Sequence, residues 1–351
     1  AVLAQRPQGG LGPALAALTS PRARARREAG RRACSRRAEL PGRSASRQEM
    51  WAGQHPEAAG PDAEAGAQAE KAGAEAQGAP LGWRQWANLA AYVVNLAITY
   101  VSLTGVWGLT NTEISDKYQT LVTPAGFAFS IWGVIFVGEL ITVVAQFFPS
   151  YRVRPVVLAS TPWWLATCAF QISWTFAFAQ EVIWLSVIFM LGILGSLAGM
   201  ALSVDSVPLT LAEYWLLRFP FAVHLGWILC ASAVNINVLA DAHMAAPATL
   251  LGIAVLSLAA VVLIAAFFAL LPRRPEPFVG VVVTWALAAI SSELKDAENL
   301  ASPTRFNPYA WSQVTLSGLD FACVGLAVAA AVLAVIAAGL SWARARREAS
   351  Q

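Results

Sequence analysis

The sequence contains few of the residues on which enzymatic and metal chemistry depends. Its 351 residues include only three histidines and four cysteines. Three histidines cannot build the multi-histidine iron site of membrane desaturases and hydroxylases. The cysteines lie far apart without CxxC spacing, which argues against a disulfide framework or a zinc site. Because no glycine-rich phosphate loop, HExxH motif or nucleophile elbow occurs either, we predict no catalytic residues, no metal site and no enzymatic activity.

Charged residues are also scarce. They make up 13% of the chain, against 57% hydrophobic residues, and the formal net charge is only +3. Such a small net charge gives no reason to expect binding to nucleic acid, so we predict no nucleic-acid partner. The apolar excess is typical of integral membrane proteins.

The apolar excess begins only after a polar N-terminal region, residues 1–83. Residues 22–47 contain ten arginines and two glutamates, the arginine-rich, acid-poor composition of an organellar transit peptide. That interpretation places the protein in a plastid or mitochondrial membrane. A disordered basic tail held at an anionic membrane surface explains the same composition. Residues 54–80 have no apolar periodicity and are predicted to form a flexible linker.

After the linker, apolar stretches of about 20 residues alternate with short polar loops, the pattern of helices that cross a membrane. We therefore predict an all-α integral membrane protein with about eight transmembrane helices, followed by a basic C-terminal tail at residues 344–351. The predicted spans are residues 86–108, 125–147, 156–179, 182–202, 219–239, 248–271, 278–294 and 319–342.

The charges of the loops test this count, because Lys and Arg gather on one side of a membrane protein. With eight spans, the loops on the side of the N-terminal tail carry nine such residues and the opposite loops carry three. The sequence therefore predicts an even number of spans, with both termini on the cytosolic, stromal or matrix side. The nine are Arg84, Arg152, Arg154, Arg218, Arg273, Arg274, Arg344, Arg346 and Arg347, and the three are Lys117, Lys295 and Arg305.

Three of the predicted spans carry aromatic motifs. The second span reads Thr-Pro-Ala-Gly-Phe-Ala-Phe-Ser-Ile-Trp-Gly from position 123, and the third reads Gln-x-x-Trp-Thr-x-x-Phe from position 171. The fifth begins Pro220-Phe221 and continues with Trp227, Ala231 and Asn235. In this order the motifs resemble those of the TspO/MBR family, the family of tryptophan-rich sensory proteins and translocator proteins (peripheral-type benzodiazepine receptors). The chain departs from the family pattern at residues 224–226, which lengthen the gap between the proline and the tryptophan.

The resemblance covers about residues 86–239 and implies a TspO-like five-helix membrane bundle over residues 84–240. Residues 241–343 are then predicted to form a three-helix membrane extension. The resemblance also implies a membrane receptor, sensor or carrier for a flat apolar ligand, either a tetrapyrrole such as a porphyrin or a sterol. We predict no other cofactor.

Large aromatic rings in the apolar interior suit stacking on such a ligand. The same rings would also serve simply to fill a helical core. The predicted ligand-binding residues are Phe127, Phe129, Trp132, Trp174, Trp227 and Asn235.

Two ionisable residues, Glu139 and His224, lie inside predicted spans, where such groups usually have a partner or a function. Counted from the same membrane surface, Glu139 lies about 12 Å deep and His224 about 7 Å deep, so the two side chains can meet if their helices are neighbours. The alternative is that His224 reaches the headgroups and Glu139 is protonated and alone. As a proton relay, the pair would favour a proton-coupled secondary transporter. A structural membrane subunit of a larger complex is the third hypothesis.

The fourth predicted span contains Gly195 and Gly199, a spacing that lets two helix backbones approach closely. The spacing favours packing within the bundle, and a homodimer through the same two glycines is the alternative. The other expected partners are membrane lipid and a hydrophobic small-molecule ligand.

Overall fold

The computed structural model describes residues 80–349, apart from residue 297 and residues 302–308. The predicted transit peptide and nearly all of the predicted linker lie outside the described residues. The described part is built from α-helices, and no β-strand occurs in it. Eight of its helices are long: α1 Trp83–Ser102, α2 Ile131–Ala145, α3 Pro155–Ala179, α4 Ile183–Ser203, α5 Phe219–Ala242, α6 Pro247–Leu270, α7 Pro277–Lys295 and α8 Gln313–Ala349.

Short helical turns extend or connect these eight helices. A 3₁₀ turn, Gly126–Ser130, leads into α2, and a π-helical turn, Tyr214–Arg218, leads into α5. Short helices also occur at Asn111–Lys117, Pro149–Arg152, Leu211–Glu213 and Glu298–Ala301.

Six helical segments of the described chain are long and apolar enough to cross a membrane. The predicted fold class, an all-α integral membrane protein, is therefore confirmed. The remaining long helices, α1 and α3, correspond to the first and third predicted spans. They bury polar side chains such as Asn88, Asn95 and Gln171, which lower their hydropathy. The six segments are Gly126–Ala145, Ile183–Ser203, Leu211–Ala242, Pro247–Leu270, Pro277–Lys295 and Gln313–Arg347.

The ends of the first and last helices differ from the predicted spans. The first span was predicted to reach residue 108, but α1 ends at Ser102. Gly105 and Gly108 beyond it adopt φ angles of 72° and 138°, which an α-helix does not allow. At the other end of the chain, α8 begins six residues before the predicted span and continues to Ala349, through most of the predicted C-terminal tail.

Helix α5 lies at the centre of the bundle and packs against α2, α4, α6 and α7. Helix α3 packs against α1 and α4, and α8 packs along α7. The last three helices are thus joined to the first five mainly through α5. At the crossing of α5 and α7, Gly226 provides the space for close contact, because an added Cβ would lie 2.8 Å from Val282 and 3.2 Å from the backbone of Val279.

Contacts between connections show which helix ends lie together. Gln85 at the start of α1 donates to the carbonyl of Arg152 between α2 and α3 (2.9 Å), and Arg154 pairs with Glu213 just before α5. After α4, the carboxylate of Asp205 accepts two backbone N–H groups of the α6–α7 connection. Arg344 near the end of α8 donates to two carbonyls of that same connection. We call this the arginine-rich end of the bundle. It includes the start of α1 and the end of α8.

The opposite end is held by contacts between the other connections. Lys117 lies 2.5 Å from the carboxylate of Glu181, which also accepts a 2.8 Å hydrogen bond from the Tyr118 hydroxyl. Burial by itself would raise the pKa of the Glu181 carboxyl, but the hydrogen bonds from Lys117 and Tyr118 lower that pKa below its usual value. Gln119 donates to Glu293 of α7 at 2.5 Å. These contacts lie between alternate connections, as the predicted topology requires.

The two glycines of α4 lie in different environments. A Cβ added to Gly199 would lie 2.5 Å from the ring of Trp163 on α3, whereas a Cβ added to Gly195 would meet no atom within 4 Å. Gly199 therefore serves the packing of α4 on α3 within the bundle. Only Gly195 is open to a second chain, and the homodimer stays a prediction.

We expect Gly199→Ala to lower the free energy of unfolding by about 1–3 kcal/mol, because the new methyl group would overpack the contact with Trp163. Gly195→Ala is the matched control on the same helix. It should be neutral or stabilise by up to about 1 kcal/mol, since alanine has the higher helix propensity. Thermal unfolding of both variants in detergent measures the difference. Equal losses in the two variants would contradict this packing.

Candidate functional site

An aromatic cavity lies between α2, α3, α4, α5 and α7, next to the connection between α1 and α2. It encloses about 720 Å³, including its open mouth. Because residues of the α1–α2 connection line it, the cavity lies near the end of the bundle opposite to the arginine-rich end. The lining side chains are Asn111, Ser115, Thr123, Pro124, Phe129, Trp132, Trp174, Phe178, Met190, Trp227, Cys230, Ala231, Val234, Asn235, Val238, Ala286 and Ile290.

Four of the predicted aromatic residues form walls of this cavity. The ring centroid of Trp227 lies 5.7 Å from that of Phe129 and 6.4 Å from that of Trp132, and both pairs are nearly perpendicular, at 81° and 82°. Trp174 stacks on Phe178, with ring centroids 4.9 Å apart and an interplanar angle of 18°. The three tryptophans therefore share one space, to which α2, α3 and α5 each contribute a ring.

Asn235 lines the cavity and fixes one of these rings. Its side-chain oxygen accepts a hydrogen bond from Nε1 of Trp174 at 3.0 Å, and its side-chain nitrogen donates to the hydroxyl of Ser186 on α4 at 3.0 Å. Both polar atoms of the amide are therefore engaged. Its geometry is that of a residue that positions Trp174.

Trp227 presents the opposite case. Its side chain is 3% exposed, and its Nε1 has no hydrogen-bond partner in the described part of the chain. A buried N–H group without a partner costs roughly 1–3 kcal/mol. Because Trp227 lines the cavity, a bound molecule with an acceptor atom could relieve this cost.

Phe127 does not line the cavity, so the structure does not bring it together with the other predicted ligand-binding residues, and its role stays a prediction. Its side chain is 49% exposed and packs edge-on against Trp285 of α7, with ring centroids 5.2 Å apart. Both Phe127 and Phe129 belong to the 3₁₀ turn before α2. With three residues per turn, side chains two positions apart point in different directions, and only Phe129 reaches the cavity.

Glu139 and His224 are in direct contact. Nδ1 of His224 lies 2.7 Å from Oε1 of Glu139, and both side chains are 0% exposed. His224 thus turns towards α2 instead of reaching the headgroups. Next to Glu139, an added Cβ on Gly138 would lie 2.9 Å from Pro220 of α5, which shows how closely α2 and α5 approach.

The Glu139–His224 pair lies directly behind one wall of the cavity. The ring of Trp132 contacts the imidazole of His224 edge-on, with centroids 5.6 Å apart. The second carboxylate oxygen of Glu139 and Nε2 of His224 have no partner among the described residues. Buried ionisable groups with unused hydrogen-bonding atoms are typical of functional sites in membrane proteins.

Several lining residues were not predicted. Phe178 belongs to the motif of the third span, but Met190, Cys230 and the α7 residues Ala286 and Ile290 lie in no motif. The last two are four positions apart and therefore share one face of their helix. This spacing does not reveal which helix the face contacts.

The fold and the cavity define an all-helical membrane protein with an internal aromatic pocket. The chain belongs to the family described as TSPO-like protein, whose model matches residues 85–343. The resemblance found in the sequence is therefore confirmed. No curated protein and no solved structure matches the chain.

The family match extends further than the sequence motifs do. The motifs are limited to about residues 86–239, whereas the family match includes residues of all eight long helices. Helices α6, α7 and α8 therefore lie within the matched region. Membership indicates a membrane receptor or sensor type of function, and the family is generally not enzymatic.

A double-mutant cycle tests the contact between Glu139 and His224. We expect Glu139→Leu and His224→Leu each to lower the free energy of unfolding by about 3 kcal/mol or more, because each leaves the other polar group buried without a partner. The double variant should lose clearly less than the sum of the two, since it leaves no uncompensated group. Unfolding in detergent provides the three values. Additive losses would mean that the side chains do not interact.

Proposed function

We propose that the protein is a membrane receptor or sensor that binds a flat apolar molecule in the aromatic cavity. The observation that carries the proposal is that Phe129, Trp132, Trp174 and Trp227 line one cavity inside the bundle. Stiff aromatic walls favour a planar ligand, because little side-chain entropy is lost when the ligand stacks on them. A tetrapyrrole such as a porphyrin, or a sterol, has this shape.

Polar groups around the cavity favour a ligand with a polar substituent. The unpartnered N–H of Trp227 suits a hydroxyl or carboxylate oxygen. Asn111 and Ser115, from the connection between α1 and α2, line the cavity as well. A porphyrin carries carboxylates at its edge and a sterol carries one hydroxyl, so both classes offer the required acceptor.

Helix α7 lines the cavity with a small residue, Ala286. This residue is 1% exposed. A longer side chain at this position would extend into the space available to a ligand. Its neighbour Ala288, on the same helix, is exposed on the outside of the bundle.

We expect Ala286→Leu to weaken ligand binding by about tenfold or more, the equivalent of about 1.4 kcal/mol, because the added atoms occupy the cavity. Ala288→Leu adds the same atoms on the outer face of α7 and should leave affinity unchanged. Quenching of tryptophan fluorescence by a panel of porphyrins and sterols gives the affinities, and far-UV circular dichroism checks the fold. The proposal fails if no member of the panel binds, or if the two variants bind equally well.

A second candidate function is proton-coupled transport of the same ligand, which the contact between Glu139 and His224 favours. A buried carboxylate and imidazole 2.7 Å apart can share and release a proton. Trp132 lies between this pair and the cavity: its ring contacts the imidazole of His224 and also lines the cavity. A proton bound at the pair would thus be close to a bound ligand.

Transport would depend on Glu139 in a way that equilibrium binding would not. We expect Glu139→Gln to abolish ligand uptake driven by a pH gradient in proteoliposomes, because glutamine cannot take up a proton. Affinity measured without a gradient should change little. The control is Glu113→Gln, which alters an exposed capping carboxylate. Normal uptake by the Glu139 variant would exclude the proton-coupled mechanism and leave the receptor function standing.

The compartment is part of the same proposal. Arginines collect at the arginine-rich end, and the end of a membrane protein that carries more Lys and Arg generally faces the cytosol, stroma or matrix. The arginine-rich composition of residues 22–47 favours an organellar membrane, plastid or mitochondrial.

A further inference from the structure

A second, larger groove lies at the arginine-rich end, away from the aromatic cavity. It is formed by the π-helical turn before α5, the connection between α6 and α7, the first half of α7 and the second half of α8. Its volume is about 1820 Å³, including its open side. None of its lining residues lines the aromatic cavity. The proposed ligand site therefore does not account for it.

The length of the groove matches one leaflet of a membrane. Along α8 it extends from Ala331 to Arg344, which is about 20 Å at 1.5 Å per residue. Half of the hydrocarbon core of a bilayer is about 15 Å thick. The groove can therefore accommodate an acyl chain, with its last part at the level of the headgroups.

The walls of the groove are apolar, and aromatic rings lie near its headgroup end. Trp215, 48% exposed, packs on Phe278 with ring centroids 5.5 Å apart. Val281 and Val335 continue the wall towards the membrane interior. Trp342 on α8 is 60% exposed and carries the guanidinium of Arg346 over its ring at 3.9 Å. Exposed tryptophans of this kind mark the boundary between acyl chains and headgroups.

Positive charge is concentrated at the headgroup end. Among the described residues that line the groove there are four arginines and no aspartate or glutamate. One of them, Arg218, is neutralised by Glu276 at 2.9 Å. Arg274 has an interaction of its own as well, and the remaining two are Arg273 and Arg344. The carboxylate of Asp205 accepts the backbone N–H groups of Arg273 and Arg274, at 2.7 and 2.8 Å.

Two of these arginines are placed to meet a ligand. Arg344 donates to the carbonyls of Pro272 and Arg273, which holds its guanidinium beside the α6–α7 connection. The residue Arg273 is exposed. The guanidinium of Arg344, held by these two hydrogen bonds, is suited to bind a phosphate group, because its planar array of donors matches the phosphate oxygens.

We propose that this groove is a binding site for an anionic phospholipid. The phosphate contacts Arg273 and Arg344, and one acyl chain lies along α7 and α8. The charge distribution favours a lipid over a second copy of the chain. A two-fold contact through this face would bring the same arginines of both copies together, and like charges across an interface oppose association.

The test measures phosphatidylglycerol retained by the full chain, purified in neutral detergent and titrated with this lipid in native mass spectrometry. Phosphatidylcholine and inorganic phosphate are the comparison ligands. We expect phosphatidylglycerol to bind more tightly than phosphatidylcholine. Each of Arg273→Gln and Arg344→Gln should weaken its binding by about fivefold, the effect of one basic residue at a membrane surface.

Matched control variants distinguish lipid binding in the groove from general attraction to the charged surface. Arg84→Gln removes a positive charge from the same end of the bundle outside the groove and should leave binding unchanged. Ala338→Phe fills the groove at an exposed lining position and should reduce binding, whereas Ala329→Phe, at an exposed position of α8 outside the groove, should not. All five variants must retain the thermal stability of the parent protein.

Three results would overturn the proposal. Equal losses in the Arg84 and Arg273 variants would indicate nonspecific attraction to the arginine-rich end. Full competition by inorganic phosphate would show that no acyl chain contributes. Dimers that form at the expense of lipid binding, and that Ala338→Phe prevents, would show that a second copy occupies the groove. Because the groove and the aromatic cavity share no residue, none of these results decides whether the cavity binds a ligand.

Discussion

The contact between Glu139 and His224 connects α2 to α5 at a depth where neither side chain reaches water. Two buried polar groups of this kind are tolerated only when each satisfies the other, so the contact fixes the relative position of the two helices. Trp132 packs against the imidazole, and Trp227 lies next to Trp132. The aromatic wall of the cavity therefore depends on a polar contact behind it.

Physical patterns in the sequence were sufficient for part of this arrangement. Apolar length located the helices, and the depths of Glu139 and His224 followed from helical rise. The motifs singled out Trp132, Trp174 and Trp227, which line one cavity. The motif did not distinguish Phe127 from Phe129, although side chains two positions apart in a helical turn point in different directions, and only Phe129 lines the cavity. The contribution of α7 to the cavity was missed because tertiary packing, and no local pattern, decides which helix completes a pocket.

The departure from the family pattern at residues 224–226 has a structural explanation. Successive residues of an α-helix are separated by about 100°, so residues two positions apart lie about 200° apart around the helix. His224 therefore faces α2 while Gly226 faces α7, where an added Cβ would lie 2.8 Å from Val282. One short segment of α5 thus contributes both the histidine of the buried polar pair and a close contact with α7.

The same geometry recurs on α7. Thr284 lines the groove at the arginine-rich end, and Ala286, two positions later, lines the aromatic cavity. Opposite faces of one helix therefore border both proposed sites. A lipid that stabilises one position of α7 would change the shape of the cavity, and a cavity ligand that prefers one position would change lipid affinity by the same factor. Such coupling requires that α7 have two positions of similar free energy, because a ligand shifts an equilibrium only by its difference in affinity for the two states.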